Sequence, residues 1–178
     1  LTRTGSDPET LGRAGDGEVA IRPSAGTRPR GKKAAEDKAN KDSLLADPKE
    51  RAEHLRLLDL GRNDVGRVAS ANSVEVTDSY TVEFYSHVMH IVSNVVGELA
   101  PDKDALDALF AGFPAGTVSG AQQVRACQII AELHPDTPGA YTGCHGHFPS
   151  AASLDRGTVL RPGLLKAGSL PGQARPAA

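Results

Sequence analysis

The stretch Asp47–Arg67, DPKERAEHLRLLDLGRNDVGR, marks both of its own ends as a helix and carries acids where a core helix should be apolar. Asp47 is placed to cap the first turn and Pro48 suits the first helical position. Glu50, three residues after Asp47, completes the pattern of a capping box, and Gly66 marks the stop. At roughly 100° per residue, Glu50, Glu53, Leu57, Leu60 and Asp64 share one face, while Ala52, Leu55 and Leu58 form a second, apolar stripe. Burial of both sides is therefore expected. Carboxylates on a buried face need a cation or a proton, which points to a metal site. The competing reading is that acids in the first turn complement the helix dipole in water, and the pattern alone favours it.

Outward from this helix, composition narrows the classes. The chain of 178 residues is long enough for one domain with a real core. A formal net charge of -2 argues against a nucleic-acid partner, and an aromatic content of 4% with no Trp argues against base-stacking platforms. Cys127 and Cys144 show no paired spacing, so a disulfide framework is not expected and a reducing compartment is. No apolar run approaches the ~20 residues that span a bilayer, and no signal-peptide pattern opens the chain. A cytoplasmic protein without membrane association is the expectation. The chain starts at Leu1 in mid-pattern, which suggests a piece of something longer.

Before the helix, Gly17–Pro23 reads as a strand entering a turn at Ser24–Thr27, and the charge-dense Arg28–Asp42 reads as a solvated loop. After it, Asn72–Thr77 alternates like a strand. Val82–Leu99 reads as a helix, with Tyr85, Val88, Met89, Ile91, Val92, Val95, Val96 and Leu99 on one broad arc, and with His90 among Ser86, Ser93 and Gly97 on the other side. Asp102–Phe110 predicts a short helix. Ala115–Gly120 predicts a small-residue turn that leads into a helix over Ala121–Leu133, and the wide spread of Val124, Cys127, Ile129, Ile130 and Leu133 predicts burial of that helix on more than one side. Tyr141–Phe148 and Thr158–Arg161 read as strands. From Pro162 onward Gly, Pro and Ala dominate, and order is not expected.

Several side chains invite chemistry. Cys144-His145-Gly146-His147 resembles a zinc-ligand run, but its spacing fits no standard pattern and lacks a second ligand pair. Cys127 falls on the apolar side of its helix, where a thiol is inert. What remains is a set: Glu50 and Glu53, His90, the amide-rich turn at Gly116–Gly120, and Arg161. Together these suit a small, multiply carboxylated substrate held through a divalent metal.

Long stretches of the chain resemble one family. SDPETL at Ser6–Leu11, AGTRPRG at Ala25–Gly31, DPKERAEHLRLLDLGRNDVGRV at Asp47–Val68, VEFYSHVMHIVSNVVGEL at Val82–Leu99, DALFAGFPAGTVSGA at Asp107–Ala121 and VRACQIIAEL at Val124–Leu133 are similar to the chorismate-utilising enzymes, most of all to anthranilate synthase large subunits. A weaker likeness continues through Tyr141–Arg161. The resemblance implies an α+β fold, an antiparallel sheet flanked by helices, of which residues 1–161 are part of the catalytic domain and 162–178 a divergent tail. It covers the C-terminal half or less of a full subunit.

The resemblance also implies chemistry: addition of ammonia to chorismate with loss of its 4-hydroxyl, then elimination of pyruvate to leave anthranilate. Mg²⁺ would hold the substrate's ring carboxylate, and a glutamine amidotransferase partner would supply ammonia. By match to the family's motifs, Glu9 would donate a proton to the departing hydroxyl and His90 is the active-site histidine. Glu53 would be a Mg²⁺ ligand with Glu50 near it, and Thr27, Thr117, Tyr141 and Arg161 would line the chorismate pocket. Aminodeoxychorismate synthases often carry a nucleophilic lysine where Ala25 stands, which tilts the choice toward anthranilate synthase. Isochorismate and salicylate synthases, or a non-catalytic remnant, are the alternatives. The departures are Gln122-Gln123 where the family has Pro-Lys, PGAYTGCHGHF at Pro138–Phe148, and the tail Lys166–Ala178, which replaces a glycine-rich segment and stops before a further acidic ligand.

Overall fold

A computed structural model of the chain describes residues 2–5, 10–119, 123–134, 143–147, 154–158 and 162–165. The strands are β1 (Thr2–Gly5), β2 (Thr10–Gly15), β3 (Glu18–Ile21), β4 (Ser24–Pro29), β5 (Glu75–Phe84), β6 (Val88–Glu98), β7 (Cys144–His147), β8 (Leu154–Thr158) and β9 (Pro162–Leu165). The helices are α1 (Ala34–Ala46), α2 (Pro48–Gly66), α3 (Ala105–Ala111), α4 (Gly116–Ser119) and α5 (Gln123–Leu133). The expected α+β class and the antiparallel sheet are both present. Seven strands form the main sheet, every pairing in it antiparallel, and β1 pairs with β9 in a separate ribbon.

Strand β6 organises the sheet. One of its edges pairs along its length with β5. Its other edge is shared: β4 takes Val88–Val92 and β3 takes Val95–Glu98, so β3 and β4 lie end to end with Arg22 and Pro23 between them. The Ser93 amide spans that break by donating to the Pro23 carbonyl at 3.1 Å. One face of β6, with Met89, Ile91, Ser93 and Val95 buried, lies under the helices. Val19, Val95, Leu58, Val65, Val68 and Ala108 close one core between sheet, α2 and α3, and Leu44, Met89 and Ile91 close a second beneath α1. No helix among the described residues is long and apolar enough to cross a membrane.

Three expectations need correction. Val82–Leu99 is the β5–β6 hairpin, not a helix: Tyr85 donates its amide to the Val88 carbonyl at 2.8 Å across the turn. The broad apolar arc had a different cause. A strand buried on most of both faces fills any wheel, and the run of Val and Ile at 88, 91, 92, 95 and 96 is β-branched, which favours the pleat. Ser24–Thr27 continues as β4 instead of turning. Arg28–Asp42, expected as a loop, ends β4 and then enters α1. That helix carries four Ala among charged residues and is anchored by the fully buried Leu44, by Asp37 on Arg30 and by Asn40 on the Pro29 carbonyl. Its first-turn acids reach back to the segment before the cap, Glu36 accepting from the Lys32 amide and Asp37 from the Gly31 amide, each at 2.7 Å.

Elsewhere α3 and the strand at β3 fall where they were expected, and the strand expected over Asn72–Thr77 is the beginning of a longer one. Strands β1 and β2 were not anticipated. Residues Pro162–Leu165, assigned by sequence to the tail, form β9 against β1, while 166–178 lie outside the described residues. Helix α5 buries none of its described side chains: Cys127 is exposed, as are Val124, Ile129 and Leu133, so the burial expected of this helix is not found.

Candidate active site

Helix α2 starts as its sequence requires. The Asp47 carboxylate accepts from the Lys49 and Glu50 amides at 2.9 and 3.3 Å, and Pro48 occupies the first turn. The box is only half made, because Glu50 turns to Arg28 (Nη1–Oε1 3.2 Å) instead of back to the cap. Arg28 also reaches Asp47 (Nη2–Oδ2 2.9 Å), and so rivets β4 to the first turn of α2. The Glu50 hydrogen bond chiefly, with Asp47 behind it, raises the Arg28 pKa against the opposing effect of burial. The Asp47 carboxyl sits below its ordinary range, held there first by the Glu50 amide, then by the Lys49 amide and Arg28.

The faces of α2 differ from those expected. Its buried stripe is His54, Leu58, Gly61 and Val65, joined by Asp64, whereas Ala52 and Leu55 are exposed. The expected stripe ran through Leu55, which is 48% exposed, because a wheel that counts only apolar residues cannot place a buried histidine at its centre. His54 is 0% exposed. Its Nε2 lies 2.7 Å from Ser93 Oγ, which also accepts the Tyr80 amide at 3.1 Å, and the Tyr80 ring stands edge-on to the imidazole with centroids 4.8 Å apart. Burial pushes its pKa down to about 4, so the ring is neutral.

Gly26 joins the two sides of the site. It sits at a bulge in β4 with φ +73°, a conformation that L side chains rarely adopt. A Cβ there would lie 3.1 Å from Glu50 Oε2 and 3.0 Å from Leu44 Cδ1. Its carbonyl, on the other hand, accepts a hydrogen bond from His90 Nδ1 at 2.9 Å. Because a carbonyl can only accept, Nδ1 carries the proton. Thr27, the cross-strand partner of His90, places Oγ1 3.1 Å from the same nitrogen. The other ring nitrogen, Nε2, has no hydrogen-bond partner among the described residues, and in the Nδ1–H tautomer it is an open lone pair.

Of the residues proposed from sequence, the structure thus brings together Thr27, His90 and, through Gly26, Glu50. Glu53 is exposed on α2, on the flank that continues through Leu57 and Leu60. The turn expected at Gly116–Gly120 is the single-turn helix α4, which carries Thr117 and seats Gly116 against Leu60, so close that a Cβ would overlap Leu60 Cδ2. Glu9, Tyr141 and Arg161 lie outside the described residues. Gly26, Arg28 and Tyr85 were missed as site residues; the signal available for Gly26 was a glycine within a strand-like run.

The donors among the described residues do not by themselves make a metal centre. Among the described residues no three His, Cys, Asp or Glu side chains stand together, and the side chains of His145 and His147 lie outside that description. Glu50 is committed to Arg28, which leaves Glu53 as an open carboxylate with no ion pair or side-chain hydrogen bond among the described residues. One carboxylate falls short of the six or so oxygens a hard divalent cation takes.

Comparison with known proteins adds the following. A sequence profile of chorismate binding enzymes matches residues 2–174. Anthranilate synthase component 1 of Cereibacter sphaeroides is 57% identical over 162 residues, covering 91% of this chain and 32% of its own. That of Pseudomonas putida is 51% identical over 170 residues, covering 96% and 34%. The crystal structure of anthranilate synthase component I from Streptococcus pneumoniae superposes with a TM-score of 0.81 at 42% identity, over 90% of this chain and 35% of that one. A putative 2,3-dihydroxybenzoate-specific isochorismate synthase from Bacillus anthracis superposes with a TM-score of 0.77 at 25% identity, over 90% and 43%. The chain spans about a third of the length of the curated relatives it matches.

Proposed function

The chain belongs to the family of chorismate binding enzymes, and from that premise we propose that it is a segment of an anthranilate synthase large subunit. The observation that carries this reading is identity of 57% to a component 1 over 91% of the chain, against 25% for the isochorismate synthase neighbour. Ala25, buried in β4, adds support, since the nucleophilic lysine of aminodeoxychorismate synthases has no counterpart there.

In this reading chorismate is the substrate, ammonia adds at its C2 as the 4-hydroxyl leaves, and elimination of pyruvate yields anthranilate. The part assigned to this chain is positional and acid–base. His90, held through Nδ1 by the Gly26 carbonyl, turns Nε2 free of protein partners among the described residues, and in the Nδ1–H tautomer that nitrogen can take a proton from the substrate. Glu9 is proposed as the donor to the departing hydroxyl, and Thr27, Thr117, Tyr141 and Arg161 as the pocket lining. Mg²⁺ enters only by family resemblance. Glu53 is the carboxylate proposed to face it in the intact parent, and since no three His, Cys, Asp or Glu side chains stand together among the described residues, the chain alone is expected to hold Mg²⁺ weakly. A glutamine amidotransferase subunit is the proposed ammonia source and the cytoplasm the proposed location.

A segment exchange tests the assignment. Residues 2–165 replace the matching segment of the Cereibacter sphaeroides relative, and the chimera is given chorismate, Mg²⁺ and ammonium while anthranilate fluorescence is followed. Anthranilate is expected, and the chimera carrying His90→Ala is expected to lose at least about 100-fold in turnover. Isochorismate or aminodeoxychorismate as the product would refute the assignment. The isolated chain is expected to show no robust turnover.

A further inference from the structure

Glu83 is the cross-strand partner of His90 on the side opposite Thr27. Directly paired residues on adjacent strands share a face, with Cβ atoms roughly 5 Å apart. A carboxylate in that position is the strongest hydrogen-bond acceptor within reach of the imidazole, yet no bond joins the two. Glu83 is held elsewhere. Its Oε2 accepts the Tyr85 hydroxyl at 2.8 Å, and its Oε1 is in an ion pair with Arg22, from the break between β3 and β4. Burial works to raise the Glu83 pKa, but the Tyr85 hydroxyl and the Arg22 guanidinium outweigh it and keep the group ionised.

Tyr85 is fixed in its turn. Its ring stands edge-on to His90 with centroids 5.5 Å apart and planes at 60°. Its backbone is gripped by Arg30, whose Nη1 donates to the Tyr85 carbonyl at 2.7 Å while Nε and Nη2 fork onto Asp37 of α1. The guanidinium also lies over the Phe84 ring, 5.1 Å from its centroid. From this anchored backbone the Tyr85 hydroxyl donates to Glu83.

We propose that Tyr85, with Arg22, is a positioning residue for His90: together they hold the Glu83 carboxylate away from the imidazole, so that Nε2 stays unprotonated and open. Released from these two holders, Glu83 would turn to its cross-strand neighbour and accept from Nε2–H. Nε2 would then carry a proton, taken up from solvent or exchanged from Nδ1 at the expense of the Gly26 bond, and in either case the open lone pair would be lost. The catalytic meaning of this arrangement rests on the acid–base role proposed above for His90, but the arrangement itself is observable without turnover.

The test is the tautomer of His90, read from long-range proton–nitrogen correlations of the chain labelled with ¹⁵N-histidine at pH 8. The unsubstituted chain is expected to show Nδ1 protonated and Nε2 bare. Tyr85→Phe keeps the ring and removes only the hydroxyl; its His90 nitrogens are expected to shift toward the Nε2–H form. Adding Glu83→Ala to Tyr85→Phe removes the competing acceptor and is expected to restore the original pattern. Arg22→Gln, on a half-exposed side chain, should move the nitrogens in the same direction and carries the test if Tyr85→Phe fails to fold. A bare Nδ1 in the unsubstituted chain would overturn the proposal. So would an unchanged tautomer in folded Tyr85→Phe or Arg22→Gln, and a shift that Glu83→Ala fails to reverse would show that ring packing and not the carboxylate is responsible. None of these results depends on whether the parent makes anthranilate.

Discussion

Gly26→Ala and Gly17→Ala form a matched pair whose difference measures how tightly the site is built. Both glycines are in the left-handed region, with φ of +73° and +78°. Each alanine pays about 1 kcal/mol for that conformation and recovers roughly half of it by stiffening the unfolded chain. These contributions cancel between the two variants. What does not cancel is space: an alanine Cβ at Gly17 meets nothing within 4 Å, whereas at Gly26 it meets Leu44 Cδ1 at 3.0 Å and Glu50 Oε2 at 3.1 Å. Neither neighbour can retreat easily. Leu44 is fully buried against Met89 and Ile91, and Glu50 is tethered to Arg28. Overpacking of this kind costs about 1–3 kcal/mol, so Gly26→Ala should be destabilised by about 2 kcal/mol more than Gly17→Ala. Urea unfolding followed by far-UV circular dichroism, with equal slopes required of both, gives the difference directly. Losses equal to within about 0.5 kcal/mol would mean that the bulge yields, and that Gly26 does not lock Glu50 and His90 into one frame.

Acid should weaken the fold through His54. Its pKa is depressed from 6.5 to about 4, so the unfolded chain takes up a proton first as pH falls; the contribution is full above pH 6.5, declines through the window, and is gone below about 4, a loss of roughly 3 kcal/mol. Unfolding free energies of the chain and of His54→Gln, measured from pH 7.5 to 4.5, should converge as pH falls, and parallel curves would sink the argument. Ser93→Ala strands two buried groups, His54 Nε2 and the Tyr80 amide, and should cost about 3 kcal/mol in the same unfolding assay; a loss below about 1 kcal/mol would show that a neighbour or a water takes over.

The ends of α2 were legible because capping is local: Asp47, Pro48 and Gly66 act within one turn of themselves. The β5–β6 hairpin was not, since an apolar segment covered on most sides loses the periodicity that separates helix from strand. Face assignment on α2 failed at Ala52 and Leu55, which are exposed, and at His54, a buried histidine whose place depends on a serine 39 residues later. The site shows the same division. Glu50, Glu53 and His90 were singled out from the residue pattern and Thr27 through motif resemblance, yet nothing local in the sequence says that Thr27 meets His90 across 63 residues, that Arg28 takes Glu50, or that Glu83 needs restraining. Those facts belong to strand register, which only the folded sheet decides.

Strand β5 has one further consequence. No strand among the described residues pairs with its outer edge, and such an edge is a template on which another chain can add and begin to aggregate. Its register breaks twice, between Val76 and Asp78 and again between Asp78 and Thr81, where Tyr80 takes φ +54°. The longest regular run left is Thr81–Phe84, four residues that include the charged Glu83. The kink that turns the Tyr80 amide inward to Ser93 therefore also denies an incoming strand a continuous ladder, so the same distortion that packs the interior protects the rim.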